Sequence, residues 1–521
     1  MRVKLLKQNR FRLTTAQTAI IMAVLTVGGK VLGFLREMVM ANFFGTGVVT
    51  DAYVMAQSIA NAILAGTISA AATSYMPTFS AKVEKDGMEE GNLFTSRLTN
   101  LLVLISGTVF IIGSIFSKPL VSLLAQGFEG EAASLTAFYL KGAFFAIIFN
   151  AIVVILEAYL QYGGIFLPQL VLGYAQNISI IIVTVISARG SYKLLILGLV
   201  MGWGFRAIGL MVLSGRHGFK YSADFVVTGA VREAAVLALP VFIGGSVNQI
   251  NTLVDKTLAS GLDQGSVSAL NYGNLIVGVI SAMTVTVMVT MLYPRMNQAF
   301  TQGDYERIGS IAERSINLIV LISVPCTLGC MLFARPAIRI IYERGAFGQG
   351  STELTSAAFF YYALGLTFIA VSQIITKLFY SMHNTKTAVK CSVISMSVNI
   401  VLNLILVRVM GHAGLALATS IAQFCNAALL YYVFRCRYPK ISLVRSPRKI
   451  ILTVVFSAVS VGGSYLVYRL MERFAFPQLI SLGIAVIIAA AVYFILVKIA
   501  GFEELEILES LLRRGKSKGE K

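Results

Sequence analysis

Charge is scarce in this chain. Only 13% of its 521 residues are Asp, Glu, Lys or Arg, against about a quarter in a soluble domain. That shortage excludes a large solvated surface. Histidine is nearly absent, with His217, His383 and His412 scattered far apart, and there is one Trp. The five cysteines, Cys326, Cys330, Cys391, Cys425 and Cys436, fall in or beside apolar runs. Cys326 and Cys330 lie one helical turn apart but have no His or acidic partner nearby, so all five read as small buried residues rather than metal or redox groups. No Walker A pattern is present. The hydrophilic pieces (1–14, 82–92, 435–449 and the tail from Phe502) are too short for a nucleotide-binding domain, which disfavours an ATP-driven pump. No catalytic constellation stands out, so the expectation is a protein that is not an enzyme.

What fills the chain instead is hydrocarbon. Hydrophobic residues make up 57% of it and mean hydropathy is +0.78. Long apolar runs recur from end to end, which makes an all-α polytopic membrane protein. We read about fourteen spans: 15–43, 49–80, 94–125, 132–161, 166–188, 191–214, 228–258, 264–299, 306–334, 352–382, 385–408, 413–434, 447–472 and 477–499. The first is too long for a signal peptide and reads as a retained span. An even number puts both termini on one side. That side collects Arg2, Lys4, Lys7, Arg10, Arg12, Lys82 and Lys85, then Arg435, Arg437, Lys440, Arg445, Arg448, Lys449 and the basic tail. The net charge of +19 therefore marks the cytoplasmic side of an inner membrane rather than a nucleic-acid partner.

The chain also resembles itself at an offset of about 217 residues. Pro77, Glu89, Arg97, Asn100, Leu101, Val103, Leu104, Ile105 and Ser106 match Pro294, Glu306, Arg314, Asn317, Leu318, Val320, Leu321, Ile322 and Ser323 without a gap. Phe116 and Pro119 continue onto Phe333 and Pro336, and further on Asn177-Ile178 matches Asn399-Ile400. The expected domains are a six-helix lobe over 1–220, its copy over 221–440, and two added spans with a basic tail over 441–521. Six helices separate equivalent elements, so the repeat is parallel, with its axis along the membrane normal. Two such bundles usually leave a site between them and work by rocking; a duplicated scaffold without transport is the alternative.

Few polar residues interrupt the spans. Residues 28–36 read GGKVLGFLR and place Lys30 and Arg36 inside the first. A charge at bilayer depth costs at least about 2.5 kcal/mol, so something must compensate it. Six residues apart, the two point about 120° apart on an ideal helix. Gly28, Gly29 and Gly33 could ease a bend or close packing. Asp51, opening span 2, is the nearest acid in sequence and a candidate partner for Arg36. Two cations against one carboxylate suggest an anionic ligand; the alternative is that Arg36 snorkels to the interface and Lys30 pairs with another helix.

A second polar group sits in spans 7, 11 and 12. In SVNQINTLVDK, Asn248, Asn251 or Thr252, and Asp255 form a stripe at helical spacing, with Lys256 next to it. Asn399 and Asn403 share a face of span 11, and span 12 carries Thr419. Asn251, Asp255, Asn399, Asn403 and Thr419 could bind a hard cation such as Na+; interhelical hydrogen bonding is the alternative. Glu157, Lys141 and Arg206 are further ionisable groups without an assigned role; Glu157 and Lys141 are too far apart along their helix to pair directly.

Three motifs carry a family resemblance over nearly the whole chain: KVLGFLRE with FFGTG and TDAY (Thr50–Tyr53), FYSMHNTKTAVK (Phe379–Lys390), and HAGLAL…NAALLY (His412–Tyr431). Together they resemble the MurJ (MviN) family of lipid II flippases, in the superfamily that includes MATE exporters and oligosaccharide-lipid flippases. The resemblance implies two six-helix bundles around a cationic cavity. It implies a substrate of undecaprenyl pyrophosphate carrying the peptidoglycan disaccharide-peptide, moved between leaflets by alternating access. By position Lys30 replaces a family arginine, while Arg36 and Asp51 stand at family positions. Some members carry cavity arginines where this chain has Leu64 and Leu275. Expected partners are the lipid-linked precursor and membrane lipids, acting on a monomer with no cofactor except Na+; the driving force would be that ion or the membrane potential. A flippase for another polyprenyl-linked glycan, or a MATE-like cation-coupled exporter, is the alternative; the basic first span argues against a cavity for cationic drugs.

Overall fold

The computed structural model describes residues 15–439, 441–443 and 446–505, and at 15–20, 23, 65, 283–295, 297 and parts of 240–248 it describes the backbone alone. The basic residues Arg2 to Arg12, Lys440, Arg445 and the tail past Leu505 lie outside the described residues, as do the side chains of Asn248 and Pro294. The described elements are helical. The first ten are α1 (Thr15–Phe44), α2 (Val48–Asp86), α3 (Met88–Ile115), α4 (Ser117–Leu124), α5 (Gly130–Tyr162), α6 (Leu167–Arg189), α7 (Leu195–Arg216), α8 (Gly229–Ser260), α9 (Ser266–Thr301) and α10 (Tyr305–Leu332). Then come α11 (Ala334–Tyr342), α12 (Gln349–Leu364), α13 (Leu366–Ser381), α14 (Thr385–Met410), α15 (His412–Arg437), α16 (Pro447–Arg473) and α17 (Gln478–Ile499). Helices are what hydrocarbon allows, because each one satisfies its own backbone.

Among the described residues, nine helices are long and apolar enough to cross a membrane, or up to eleven if each bent pair counts as one span. The expected fourteen is not reached by that measure. Helices α1, α8 and α9 occupy three of the expected spans but do not pass it, and all three contain undescribed side chains. Two expected spans, the third and the tenth, are also broken, while the ninth ends close to where it is expected, with α11 following. The third ends at Phe116 before α4, and the ninth at Phe333 before α11. The two phenylalanines take nearly the same backbone, φ −92° with ψ 16° and φ −99° with ψ 18°. Pro119 and Pro336 follow each break, where proline starts a helix without losing a needed N–H. Matched residues of the repeat thus make matched kinks. The tenth span breaks between α12 and α13, which meet at a 41° bend.

The chain divides into two compact units. Unit 1 holds the described residues of Met1–Phe43, Ala56–Leu124 and Gly130–Gln249; unit 2 holds Phe44–Met55, Ala125–Glu129 and the described residues of Ile250–Lys521. Within unit 1, α5 packs on α3 and α7, and α6 packs on α7. Glycines admit neighbouring side chains here, as at Gly113 against Phe144 and Gly142 against Ile196. Within unit 2, α14 packs on α15, α16 on α17, α10 on α16, and α9 on α12 and α13. Hydroxyls inside the helices return to the carbonyl four residues back, as in Thr95 to Gly91, Thr184 to Ile180 and Ser457 to Thr453.

The segment after α7 is extended and strapped along one face of α3. Asn92 Nδ2 donates to the Gly218 carbonyl (2.8 Å), Ser96 Oγ accepts from Ser222 N, and Asn100 Nδ2 donates to the Ser222 and Asp224 carbonyls. Arg97 closes the strap on Asp224 at 2.7 Å. In unit 2 the matched Asn317 donates instead to Glu504, which also pairs with Lys449. The Val226 N–H first, and then Arg97, hold the Asp224 carboxyl below the usual aspartate range. Its stabilising contribution is therefore complete above the unfolded value of about 3.9 and fades as pH falls through the lower folded value. Asp224→Asn is expected to lower the melting temperature slightly at pH 6, with the gap to wild type closing as the pH is taken below 3. A gap independent of pH would mean that the carboxylate charge plays no part in holding the strap.

Candidate functional site

Arg36 lies on α1 with its side chain 30% exposed. Its Nε and Nη2 donate to Glu37 Oε1 at 3.1 and 2.6 Å, and its Nη1 donates to Asn177 Oδ1 on α6 at 3.2 Å. The amide of Asn177 is oriented by its own helix, because Nδ2 donates to the Gly173 carbonyl at 3.0 Å. Helix α6 reaches α1 this closely through two glycines. A side chain at Gly28 would overlap the Tyr174 hydroxyl, which donates to the Leu25 carbonyl (2.7 Å), and Gly33 faces Asn177 Oδ1. The glycines expected to ease a bend thus seat a neighbouring helix within a continuous α1. Lys30, one and a half turns earlier, is exposed.

The residue beside Asn177 serves a second arginine. Gln176 Oε1 accepts from Arg206 Nη1 at 2.6 Å, while Arg206 Nη2 and Nε reach Glu157 Oε1 at 2.5 and 3.1 Å. The guanidinium also lies over the Trp203 ring, 5.6 Å from its centroid. This gives Glu157 and Arg206 the partners that sequence spacing did not reveal: they stand 49 residues apart on α5 and α7.

Asp51 is placed differently from the expectation that it pairs with Arg36. It belongs to unit 2, is 3% exposed, and each carboxylate oxygen accepts one backbone N–H at the start of α9: Gly265 and Ser268, both at 2.7 Å. The carboxylate thus caps a helix N-terminus, where orphan donors and the helix dipole both favour negative charge. The turn before it is fitted closely: Gly45 has φ +58°, and a side chain there would strike the Ala346 carbonyl.

The oxygen-bearing residues predicted for a cation do converge in unit 2. Asn403 Nδ2 donates to Asp255 Oδ1 (2.6 Å) and Asn399 Oδ1 (2.9 Å). Thr419 Oγ1 donates to Asp255 Oδ2 at 3.3 Å, and Asn399 Nδ2 reaches Thr419 Oγ1 at 3.4 Å. Asp255, Asn399 and Asn403 are 7%, 1% and 0% exposed. Asn251, one turn before Asp255, and Asn403 each keep a buried Oδ1 with no hydrogen-bond partner among the described residues. Orphaned acceptors beside a buried carboxylate are the donor set a hard cation takes. Lys256 points elsewhere and donates to Asn271 at 3.2 Å. No group of three His, Cys, Asp or Glu able to hold a metal occurs among the described residues. Unit 2 also contains an apolar cavity of about 610 Å³ lined by Leu321, Cys326, Cys330, Phe333, Val461 and Phe494 among others. Cys391 is buried and Cys425 partly so, but Cys436, expected to be buried, is exposed at the end of α15.

Comparisons with known proteins agree with one another. The sequence model described as lipid II flippase MurJ matches residues 40–481. A probable lipid II flippase MurJ of Rhizobium tropici is 26% identical over 94% of this chain and 95% of its own. One from Thermotoga maritima is 26% identical over 94% and 97%. Among solved structures, a lipid II flippase MurJ in an inward closed conformation aligns with TM-score 0.78 at 24% identity, covering 92% of this chain and 98% of its own. An inward-facing MATE family multidrug transporter shares the fold at TM-score 0.60 and 13% identity, over 82% of this chain and 100% of its own.

Asp51→Ala would strand two buried N–H groups, each costing about 1–3 kcal/mol. The expected result is a lower melting temperature and less protein in the membrane, with substrate affinity per folded molecule unchanged. Intact stability with lost affinity would instead assign Asp51 to the ligand.

Proposed function

This chain belongs to the lipid II flippase MurJ family, and we propose that it carries lipid II from the cytoplasmic to the outer leaflet of a bacterial inner membrane by alternating access. Both termini would then be cytoplasmic. The observation that carries this reading is the pair of cations on one membrane helix, Lys30 exposed and Arg36 half-buried between Glu37 and Asn177. A diphosphate brings two phosphates that must be compensated before they leave water. Arginine offers a planar fork suited to phosphate oxygens and lysine a compact point charge. The isoprenyl chain needs only hydrocarbon, which the bilayer around the spans supplies. No bond is made or broken, so the protein's work is to bind, neutralise and release.

Removing either cation should weaken binding of undecaprenyl diphosphate by about tenfold, the size of one charge-assisted contact. Lys30→Ala and Arg36→Ala are each expected to fail in a strain depleted of its lipid II flippase, at wild-type protein levels. Full rescue by both would remove the two residues from the substrate site. Failure of the wild-type protein itself would point to a different polyprenyl-linked cargo.

The second part of the reading is the coupling ion. Asp255, Asn251, Asn399, Asn403 and Thr419 would hold Na+, whose charge offsets the buried carboxylate and whose coordination takes up the two orphaned amide oxygens. The family name does not carry this step; the donor set does. Melting temperature should rise with Na+ over an equal concentration of K+, and Asn403→Ala should abolish the difference. A wild-type protein indifferent to Na+ would leave the cluster as interhelical hydrogen bonding alone.

A further inference from the structure

We infer that Glu37 and Asn177 set the affinity of the diphosphate site in opposite directions through Arg36. Glu37 is a resting counter-ion that the ligand displaces, and Asn177 is a positioning residue that keeps the guanidinium aimed. The inference rests on the reading that Arg36 meets a diphosphate. Its ground is a contact that helix geometry does not favour. Residues i and i+1 do not face each other on a helix, yet Nε and Nη2 of Arg36 both reach Glu37 Oε1. The side chain is therefore folded back along its own helix. Asn177 takes the opposite edge through Nη1. It can only accept there, because a guanidinium has donors alone, and its Nδ2 bond to the Gly173 carbonyl keeps Oδ1 turned to Arg36. A neutral acceptor orients the guanidinium without cancelling its charge; Glu37 cancels it. An arriving phosphate competes for the same Nε and Nη2 donors and releases the Glu37 carboxylate, whose side chain is 16% exposed.

The two residues are thus predicted to act in opposite directions. With the purified full chain and undecaprenyl diphosphate as probe, Glu37→Gln should tighten binding by about fivefold, the upper range for a partly exposed ion pair. Asn177→Ala should weaken it by about fivefold, and Asn177→Asp, which sets a second carboxylate on Arg36, should weaken it further. In an Arg36→Ala background all three changes should have no effect on affinity. Melting temperatures recorded alongside separate this order from loss of packing, which would move stability and affinity together. If Arg36→Ala weakens binding but Glu37→Gln and Asn177→Asp leave affinity at the wild-type value, the competition is wrong and the substrate site stands. If Arg36→Ala binds as well as wild type, the substrate reading itself falls, and the competition with it.

Discussion

A guanidinium in a membrane protein must be compensated wherever it sits, and much of unit 1 is arranged around two of them. Arg206 is held by a carboxylate, an amide and an indole ring while remaining partly exposed. Its carboxylate and its amide come from two other helices, α5 and α6. Arg36 has the same kinds of partner, a carboxylate and an amide, but its carboxylate is its chain neighbour. The difference between a structural cation and an exchangeable one lies in how the partners are attached. Glu157 is fixed on another helix, whereas Glu37 moves with Arg36.

Helix α6 carries both arrangements. Gln176 and Asn177 are consecutive, so their side chains leave the helix about 100° apart, one toward α7 and one toward α1. Tyr174 and the glycines of α1 fix the distance at which the second can act. A shift of α6 relative to α1 would change the hold on Arg36 while leaving Arg206 paired. Charge state and helix packing are in this way linked at a single turn.

Much of this was legible in the sequence, and the limits of legibility have a physical form. Groups that share one helix face announce themselves by spacing: Asn399 with Asn403 on α14, and Asn251 with Asp255 on α8, stood out as polar stripes, and Asn403 does meet Asp255. The repeat was legible because its matched residues make turns and kinks: Phe116 and Phe333 break their helices in the same conformation. Pairs of single residues contributed by different helices, with no polar stripe on either, leave no local trace. Arg36 and Asn177 are 141 residues apart, and Glu157 and Arg206 are 49 apart. Asn177 did carry one signal, its match to Asn399 in the other copy. Asp51 was misread for a related reason: proximity along the chain suggested Arg36, while the segment from Phe44 to Met55 belongs to unit 2 and spends the carboxylate on the start of α9.

The matched asparagines show how one scaffold can serve two opposite charges. In each copy the residue lies on the fifth helix and takes part in a cluster that reaches the first. An amide side chain offers an acceptor at one end and donors at the other. In unit 1 the oxygen of Asn177 faces a cation. In unit 2 the amide of Asn403, one turn on from Asn399, turns its nitrogen to an anion, Asp255. The matched Asn399 acts through its neighbour, its Oδ1 accepting from Asn403 Nδ2, and it is Asn403 that reaches Asp255. An amide side chain thus stands beside a cation in one unit and beside an anion in the other, because it can present either end.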